Sequence, residues 1–257
     1  MRFGACVDYN WLPQLQEAGY DYLEYNLSRI AAMSEEEFTD LQKTVATSPL
    51  KIESYNGFFP PGTRLTGPDT DYEQIREYTE KAMVRASKLG GKVTVLGSGS
   101  ARKIPEGFDF DTAYGQFAAI LELCGSIAAK YGITIALEPL RCAETNLINT
   151  VEQGLELCRK VNHPHVKCLA DFFHVYSNGE SLEAIRRSEN WLAHIHLARA
   201  NPDRHVPYPE DLETCRQWAD ALRECGYHSR ISLEGAFEPT IPEALSRARE
   251  ILKVFEA

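Results

Sequence analysis

The chain has 257 residues, of which 44% are apolar, so it is long enough to bury a large hydrophobic core. Its 27 basic and 37 acidic residues give a formal net charge of −10. A field of that sign repels a polyanion, which argues against nucleic acid as a partner.

Short runs rich in β-forming residues alternate with longer amphipathic stretches. The predicted strands cover residues 2–7, 20–25, 50–55, 92–96, 133–138, 166–171, 192–197 and 230–234. Apolar residues recur at helical spacing most clearly over about 71–89, 110–130 and 239–255. Eight such units in a chain of this length predict an α/β fold, a single (β/α)8 TIM barrel that forms one domain over residues 1–257.

Several helix ends can also be predicted from the sequence. Thr240 precedes Pro242 and Glu243, a pattern typical of an N-cap at the start of the last helix. A glycine separates helix from strand in YGI at 131–133 and CGY at 225–227. Glycine is the usual left-handed residue at such an end, so this repeated pattern favours βα units throughout the chain.

Cysteine usage and the first residues bear on the cellular compartment. The seven cysteines form no CxxC pair and mostly lie in apolar contexts, which favours buried, reduced thiols. The chain opens on a predicted strand with no signal peptide before it, and no apolar run is long enough to span a membrane. We therefore expect a cytoplasmic protein without a membrane partner.

Four polar residues end four successive strands of the second half. They are Glu138 in ITIALEP, Asp171 in VKCLAD, His196 in LAHIHLA and Glu234 in RISLEG. The carboxyl ends of strands meet on one face of a closed parallel barrel, so these side chains are expected to be neighbours. Carboxylate oxygens and an imidazole suit one divalent ion such as Mn, Mg, Zn or Co. The sequence thus predicts a metal site.

Each of the four residues has an alternative interpretation. Glu138 and Glu234 could be solvated strand ends, and Asp171 could cap the next helix. His196 could be a hydrogen-bonded core histidine, because His194 points to the same face. Their joint occurrence in consecutive units favours the metal site over four separate coincidences.

A second group of polar residues follows the first closely. Glu144, His174 and Arg204 could form hydrogen bonds with the hydroxyls or the carbonyl of a polyol. His174 could instead cap or pack at a helix start, and Arg204 could be a surface cation. The glycine-rich segment 97–103 could hold a phosphate, but it lacks the spacing of known phosphate loops, and a flexible βα loop is the better interpretation.

Two glutamates on one metal indicate a type of reaction. The ion would polarise a carbonyl and its neighbouring hydroxyl, which makes the adjacent C–H more acidic. Glu138 and Glu234 could then serve as the acid/base pair that moves the proton through a metal-stabilised enediolate. Return of the proton to the opposite face of that carbon is epimerisation, and its return to the neighbouring carbon is isomerisation.

These motifs resemble a known family. LEPL, DFFH, HIHLA and SLEG resemble the xylose isomerase-like barrel superfamily, and most closely its sugar isomerase/epimerase branch, with tagatose and psicose 3-epimerases and hydroxypyruvate isomerases. The resemblance implies a metal held by Glu138, Asp171, His196 and Glu234, with proton exchange by the two glutamates. It also implies a sugar or sugar phosphate substrate contacted by residues such as Glu144, His174 and Arg204, and dimers or tetramers are common among such barrels.

Three other activities compete with an isomerase. A metal-dependent dehydratase of the inositol type would use the same metal and base but would expel a β-hydroxyl. An endonuclease of the abasic-site type would need several more histidines from the early strands, yet the first histidine of the chain is His163. A protein that only binds sugar would have no use for a complete acid/base pair.

Overall fold

The computed structural model describes residues 1–199 and 203–256. Within them, eight parallel strands form a closed barrel in which each strand pairs with the next. The strands are β1 (Arg2–Cys6), β2 (Tyr22–Asn26), β3 (Ile52–Asn56), β4 (Val93–Leu96), β5 (Thr134–Leu137), β6 (Val166–Asp171), β7 (Leu192–Leu197) and β8 (Arg230–Leu233). Pairing of β1 with β8 closes the ring, which confirms the predicted TIM barrel.

Helices surround the barrel. They are α1 (Leu12–Glu17), α2 (Leu27–Ala32), α3 (Glu35–Thr47), α4 (Tyr72–Lys88), α5 (Gly99–Arg102), α6 (Phe110–Ala129), α7 (Val151–Val161), α8 (Phe172–Ser177), α9 (Glu183–Arg186), α10 (Leu212–Glu224) and α11 (Ile241–Leu252). The three strongest amphipathic patterns became α4, α6 and α11. In the described part of the chain, no helix combines the length and apolar character needed to cross a membrane.

Local sequence signals explain the helix ends. Thr240 caps α11 as predicted, since its hydroxyl accepts a hydrogen bond from the Glu243 amide at 3.4 Å. Gly132 and Gly226 have φ angles of 65° and 71°, a left-handed conformation that disfavours residues with a Cβ atom. All seven cysteines are free thiols, and four are buried, but Cys142 is exposed because it lies in the loop after β5.

Apolar residues pack in two clusters. The larger cluster joins strand residues such as Leu137 to helix residues such as Phe117, so it lies between the barrel and its helices. The smaller cluster contains Val93, Val95, Ala136 and Leu169, all from β4 to β6. Side chains alternate along a strand, so Ala136 shares its face with Glu138 and the smaller cluster lies inside the barrel.

The rest of the barrel interior is polar. Side chains of β2, β3, β7 and β8 form hydrogen bonds there; these residues are Tyr22, Glu24, Ser54, His194, His196 and Ser232. The Glu24 carboxylate lies 2.7 Å from His194 Nε2. Because β2 and β7 are not neighbours in the sheet, this contact crosses the interior. Such interiors are usually filled by Val, Ile and Leu, so the polar group is a departure that calls for an explanation.

A glycine creates the space for this polar group. Gly4 pairs with Tyr22 across β1 and β2, and a Cβ atom at Gly4 would lie 2.3 Å from the Tyr22 ring. The ring therefore fills the volume next to Gly4, and its hydroxyl reaches Ser232 Oγ at 2.9 Å.

Replacement of Gly4 by alanine is expected to destabilise the protein by about 1–3 kcal/mol, because the Tyr22 ring would have to move in a packed interior. Gly115 in α6 is a matched control, since no other side chain or strand that the structure describes lies within 4 Å of a Cβ atom there. Gly115→Ala should stabilise the helix by roughly 0.5–1 kcal/mol. Urea unfolding gives the free energy of unfolding of the wild type and of both variants. A Gly4→Ala protein as stable as Gly115→Ala would show that the Tyr22 ring accommodates the methyl group.

Candidate metal centre

The four predicted metal ligands come together at the carboxyl end of the barrel. One ligand atom from each of Glu138, Asp171, His196 and Glu234 lies within 4.8 Å of the others. Asp171 ends β6 and His196 lies near the end of β7, whereas the two glutamates directly follow β5 and β8. Closure of the barrel brings these four consecutive strand ends into one cluster.

The two nitrogens of His196 face different partners. Nδ1 lies 2.8 Å from Glu234 Oε2 and 3.2 Å from Glu138 Oε1. Nε2 lies 2.9 Å from Glu24 Oε1, on the other edge of the ring. Nδ1 is therefore the nitrogen that could join the carboxylates around an ion. The interpretation of His196 as a core histidine also holds, because the ring is fully buried.

Asp171 combines two roles that the sequence left as alternatives. Its Oδ1 atom accepts a hydrogen bond from the Phe173 amide at 2.8 Å, so it caps α8. Its Oδ2 atom forms an ion pair with Arg204. One carboxylate thus holds the helix start and still presents an oxygen to the site.

Arg204 reaches the cluster although residues 200–202, which precede it, lie outside the described part of the chain. Its guanidinium contacts Asp171, lies 2.5 Å from Glu234 Oε2 and donates to the Glu234 carbonyl at 3.1 Å. The Arg204 carbonyl accepts from the Ala236 amide at 2.7 Å, which fixes this loop to the end of β8. A surface-cation interpretation does not account for these contacts.

His174 is buried beside the cluster, and neither of its ring nitrogens has a hydrogen-bond partner among residues 1–199 and 203–256. Its Nε2 atom lies 3.6 Å from Asp171 Oδ2 and 4.0 Å from Glu138 Oε1. Burial lowers its pKa, which favours the neutral ring. A neutral imidazole in this position could bind a substrate hydroxyl, because a buried polar group without a partner is costly.

Glu144, a predicted substrate contact, is already paired with another side chain of the protein. Its carboxylate is held by Arg141 Nε at 2.6 Å, and both side chains are partly exposed. The guanidinium carbons of Arg141 and Arg204 lie 5.1 and 5.0 Å from the centre of the Phe173 ring. Glu144 therefore stands at the rim of the site, where a ligand would have to share it with Arg141.

The two glutamates of the cluster differ in proton affinity. Burial raises the pKa of Glu138, although a hydrogen bond from His196 opposes this effect. Burial acts in the same direction on Glu234, but the charge and hydrogen bond of His196, with the charge of Arg204, lower its pKa to about 2. Two carboxyl groups whose pKa values are pushed apart are suited to opposite roles in acid/base chemistry.

The glycine-rich segment after β4 is packed against the site. A Cβ atom at Gly97 would lie 2.3 Å from Glu138 Oε2, and one at Gly99 would lie 3.1 Å from the Glu144 carbonyl oxygen. Arg102 is fully buried, and its guanidinium lies 5.7 Å from the Phe117 ring. The preferred interpretation as a loop is wrong for residues 99–102, which form the short helix α5. The glycines at 97 and 99 make room for Glu138 and for the backbone of Glu144. Nor does the buried Arg102 support a phosphate site.

Sequence reasoning missed two residues that contact the cluster. Glu24 contacts His196, and Asn56 Nδ2 donates to Glu234 Oε1 at 3.0 Å. Asn56 also lines a cavity of about 330 Å³ at the ends of β1 to β3. Glu24 could have been identified from the sequence, because it is a charged residue inside the otherwise apolar strand pattern YLEY.

The cluster fits a divalent ion. Three carboxylates and one imidazole nitrogen supply the donor types that Mn, Mg, Zn and Co accept. The positive charge of Arg204 offsets only part of the negative charge of these three carboxylates. Cys6, Glu24 and His196 form a second group of ligand atoms within 4.8 Å of one another. Glu24 of this group faces His196 Nε2.

Known proteins resemble this chain over most of its length. The model of the xylose isomerase-like TIM barrel family matches residues 12–255. D-psicose 3-epimerase of Ruminiclostridium cellulolyticum is 24% identical over 240 residues, covering 89% of this chain and 78% of the relative. 3-Dehydro-D-guloside 4-epimerase of Escherichia coli is 24% identical over 240 residues, covering 89% of this chain and 87% of the relative.

A solved structure gives the same fold. The IOLI protein with a binding zinc atom has a TM-score of 0.77 and 20% identity, covering 100% of this chain and 98% of that one. Both curated relatives are named epimerases, which confirms the isomerase class and the sugar isomerase/epimerase branch expected from the sequence. The chain belongs to the xylose isomerase-like TIM barrel family.

Proposed function

We propose that this protein is a metal-dependent sugar epimerase or isomerase in which Glu138 and Glu234 exchange the substrate proton. The observation that carries the proposal is the convergence of both glutamates with Asp171 and His196 on one potential ion site. The proposal includes one divalent metal ion and one barrel domain over residues 1–257. A cytoplasmic location and a homo-oligomer stay predictions.

The order of the strands gives the two glutamates their positions. Glu138 follows β5 and Glu234 follows β8, so Asp171 on β6 and His196 on β7 lie between them. A substrate bound at the cluster would therefore have one glutamate on each side. When bound, a divalent ion would act as a Lewis acid on the substrate carbonyl and its adjacent hydroxyl.

Proton transfer then falls to residues of the chain. One glutamate takes the proton from the carbon next to the carbonyl, and the other returns a proton from the opposite face. This exchange inverts the carbon.

Other side chains would hold the sugar. His174 offers hydroxyls two buried nitrogens that have no partner within the described part of the chain, and Arg204 offers a guanidinium next to Asp171 and Glu234. Glu144 would contact the substrate at the rim, close to its partner Arg141. We propose a ketose or a keto-sugar derivative as substrate, because both relatives carry names of that class.

An endonuclease of the abasic-site type is a poorer match. The cluster that could hold the catalytic ion contains one imidazole, and the first histidine of the chain is His163, after β5. The net charge of −10 also opposes approach to DNA.

NMR of the metal-loaded protein with ketoses and ketose phosphates in D2O tests the proposal. Deuterium at C3 with a new epimer would establish 3-epimerisation, and deuterium at C1 or C2 with an aldose would establish isomerisation. Loss of water without a returning isomer would identify a dehydratase instead. An ion-loaded protein that exchanges no proton on any substrate would contradict the proposal.

Glu138→Gln and Glu234→Gln are each expected to lower kcat by about 10²-fold to 10⁴-fold, since an amide cannot exchange the proton. Glu144→Gln is the matched control at the rim and should change KM more than kcat. Bound metal is measured in each variant by elemental analysis. A variant that keeps its metal and its turnover would remove that glutamate from the acid/base role.

Removal of the metal should abolish turnover and leave the fold intact, because the apolar packing between the barrel and its helices does not include the ligand side chains. EDTA treatment followed by dialysis should give an inactive protein with unchanged circular dichroism. Addition of Mn²⁺ or Co²⁺ should restore the rate. Full activity of a protein shown to be metal-free would refute the metal requirement.

Gly97→Ala should lower turnover at least about tenfold, because the new methyl group would displace the Glu138 carboxylate and misplacement of about 1 Å can cost 10²-fold in rate. Gly115→Ala serves as the control for a glycine without close neighbours. Steady-state kinetics with thermal melts separates displacement from unfolding. Wild-type turnover in Gly97→Ala would show that the glutamate tolerates the shift.

A further inference from the structure

The buried Glu24 carboxylate has no role in the function proposed above. It is completely inaccessible, although it lies in the middle of the barrel, where an unpaired carboxylate would be very unfavourable. Its Oε1 atom lies 2.9 Å from His196 Nε2, and its Oε2 atom lies 2.7 Å from His194 Nε2. Both oxygens are thus used by histidines of β7.

Further hydrogen bonds fix the orientation of this carboxylate. Ser232 Oγ donates to Glu24 Oε2 at 2.6 Å, and the Tyr22 hydroxyl lies 2.9 Å from the same Ser232 oxygen. Ser54 Oγ lies 3.3 Å from His194 Nε2. Side chains of β7 and β8 therefore contact the Glu24 carboxylate directly, and Tyr22 and Ser54 contact two of those side chains.

The consequence concerns His196. A carboxylate accepts hydrogen bonds, so the Nε2 atom that faces Glu24 must carry a proton. Nδ1 faces the carboxylates of Glu138 and Glu234, so it carries a proton too when no ion is bound. An ion held by these carboxylates would take the place of the Nδ1 proton, and Nε2 would keep its own. The opposite tautomer would place a proton between Nδ1 and any ion bound by those carboxylates.

We propose that Glu24 is a positioning residue that fixes His196 in the tautomer and orientation needed to bind a divalent ion through Nδ1. It acts through His196 and does not touch the substrate. A histidine ligand whose other nitrogen donates to a carboxylate is a recurrent arrangement, and loss of that partner commonly costs 10-fold to 100-fold in metal affinity. The inference rests on the proposed metal site but not on the identity of the sugar.

A second ion is the competing explanation for Glu24. Cys6, Glu24 and His196 offer ligand atoms within 4.8 Å of one another, so His196 could bridge two ions. That arrangement would require Nε2 to lose its proton. Binding of one ion per chain is expected if Glu24 is a hydrogen-bond acceptor, and two ions per chain would overturn the inference.

Isothermal titration of metal-free protein with Mn²⁺ is the principal test. In Glu24→Gln, the side-chain amide can donate to His196 Nε2 and so favours a proton on Nδ1, the tautomer that cannot bind an ion. We expect the Kd for Mn²⁺ to rise 10-fold to 100-fold. Glu80→Gln is the matched control: it makes the same substitution in α4, where Glu80 pairs with Lys130 and contacts none of the proposed ligands, so its Kd should stay within threefold of wild type.

The tautomer can be observed without any variant. In Zn²⁺-loaded wild-type protein with ¹⁵N-labelled histidine, the Nε2 atom of His196 should carry a proton and Nδ1 should not. A proton on Nδ1, or a folded Glu24→Gln protein with the wild-type Kd, would overturn the positioning role alone. Absence of divalent-ion binding by the wild type would overturn the proposed function as well.

Discussion

The site depends on the balance of negative charge at one end of the barrel. The carboxylates of Glu138, Asp171 and Glu234 lie there, and that of Glu24 lies beside them inside the barrel, in contact with His196. Withdrawal of such groups from water is costly unless positive charge or hydrogen-bond donors replace the solvent. His194 and His196 supply donors to Glu24, and Arg204 supplies charge to Asp171 and Glu234. A divalent ion would complete the compensation, which is the physical argument for a metal.

The barrel makes this concentration of charge attainable. Glu138, Asp171 and Glu234 are attached at strand ends and Glu24 within β2. The outer faces of these strands pack on helices, which restrains backbone movement that would relieve the repulsion. Loops then add the groups that vary between barrels. The loop after β7 brings Arg204 and is tied to Ala236 after β8, whereas the loop after β5 brings Glu144 with its partner Arg141. Rigid strands thus fix the ion site, and loops shape the space where a sugar would lie.

Two glycines make room for polar side chains inside the barrel and at its carboxyl end. Gly4 admits the Tyr22 ring, and Gly97 admits the Glu138 carboxylate, each at a distance where a Cβ atom would collide. Both glycines lie beside groups of the polar network or the candidate metal centre. The chemistry of the site therefore extends to residues that carry no functional group.

Much of the architecture was determined by the sequence alone. Alternating strand and helix patterns predicted the barrel, and the strand ends were placed within two residues of those observed. The four ligand candidates followed, because in a parallel barrel the position of a residue at a strand end decides where its side chain goes. Local chemistry also identified the Thr240 cap, since that contact lies within four residues of chain.

The tertiary structure decided what depends on contacts between distant strands. Glu24 on β2 meets His194 and His196 on β7 across the barrel, a pairing that no local pattern encodes because the strands are not adjacent. The engagement of Glu144 by Arg141 and the reach of Arg204 depend on loop conformation, which strand periodicity does not specify. The sequence determined which residues stand at the strand ends, and only packing of the closed barrel decided which atoms of those residues face one another.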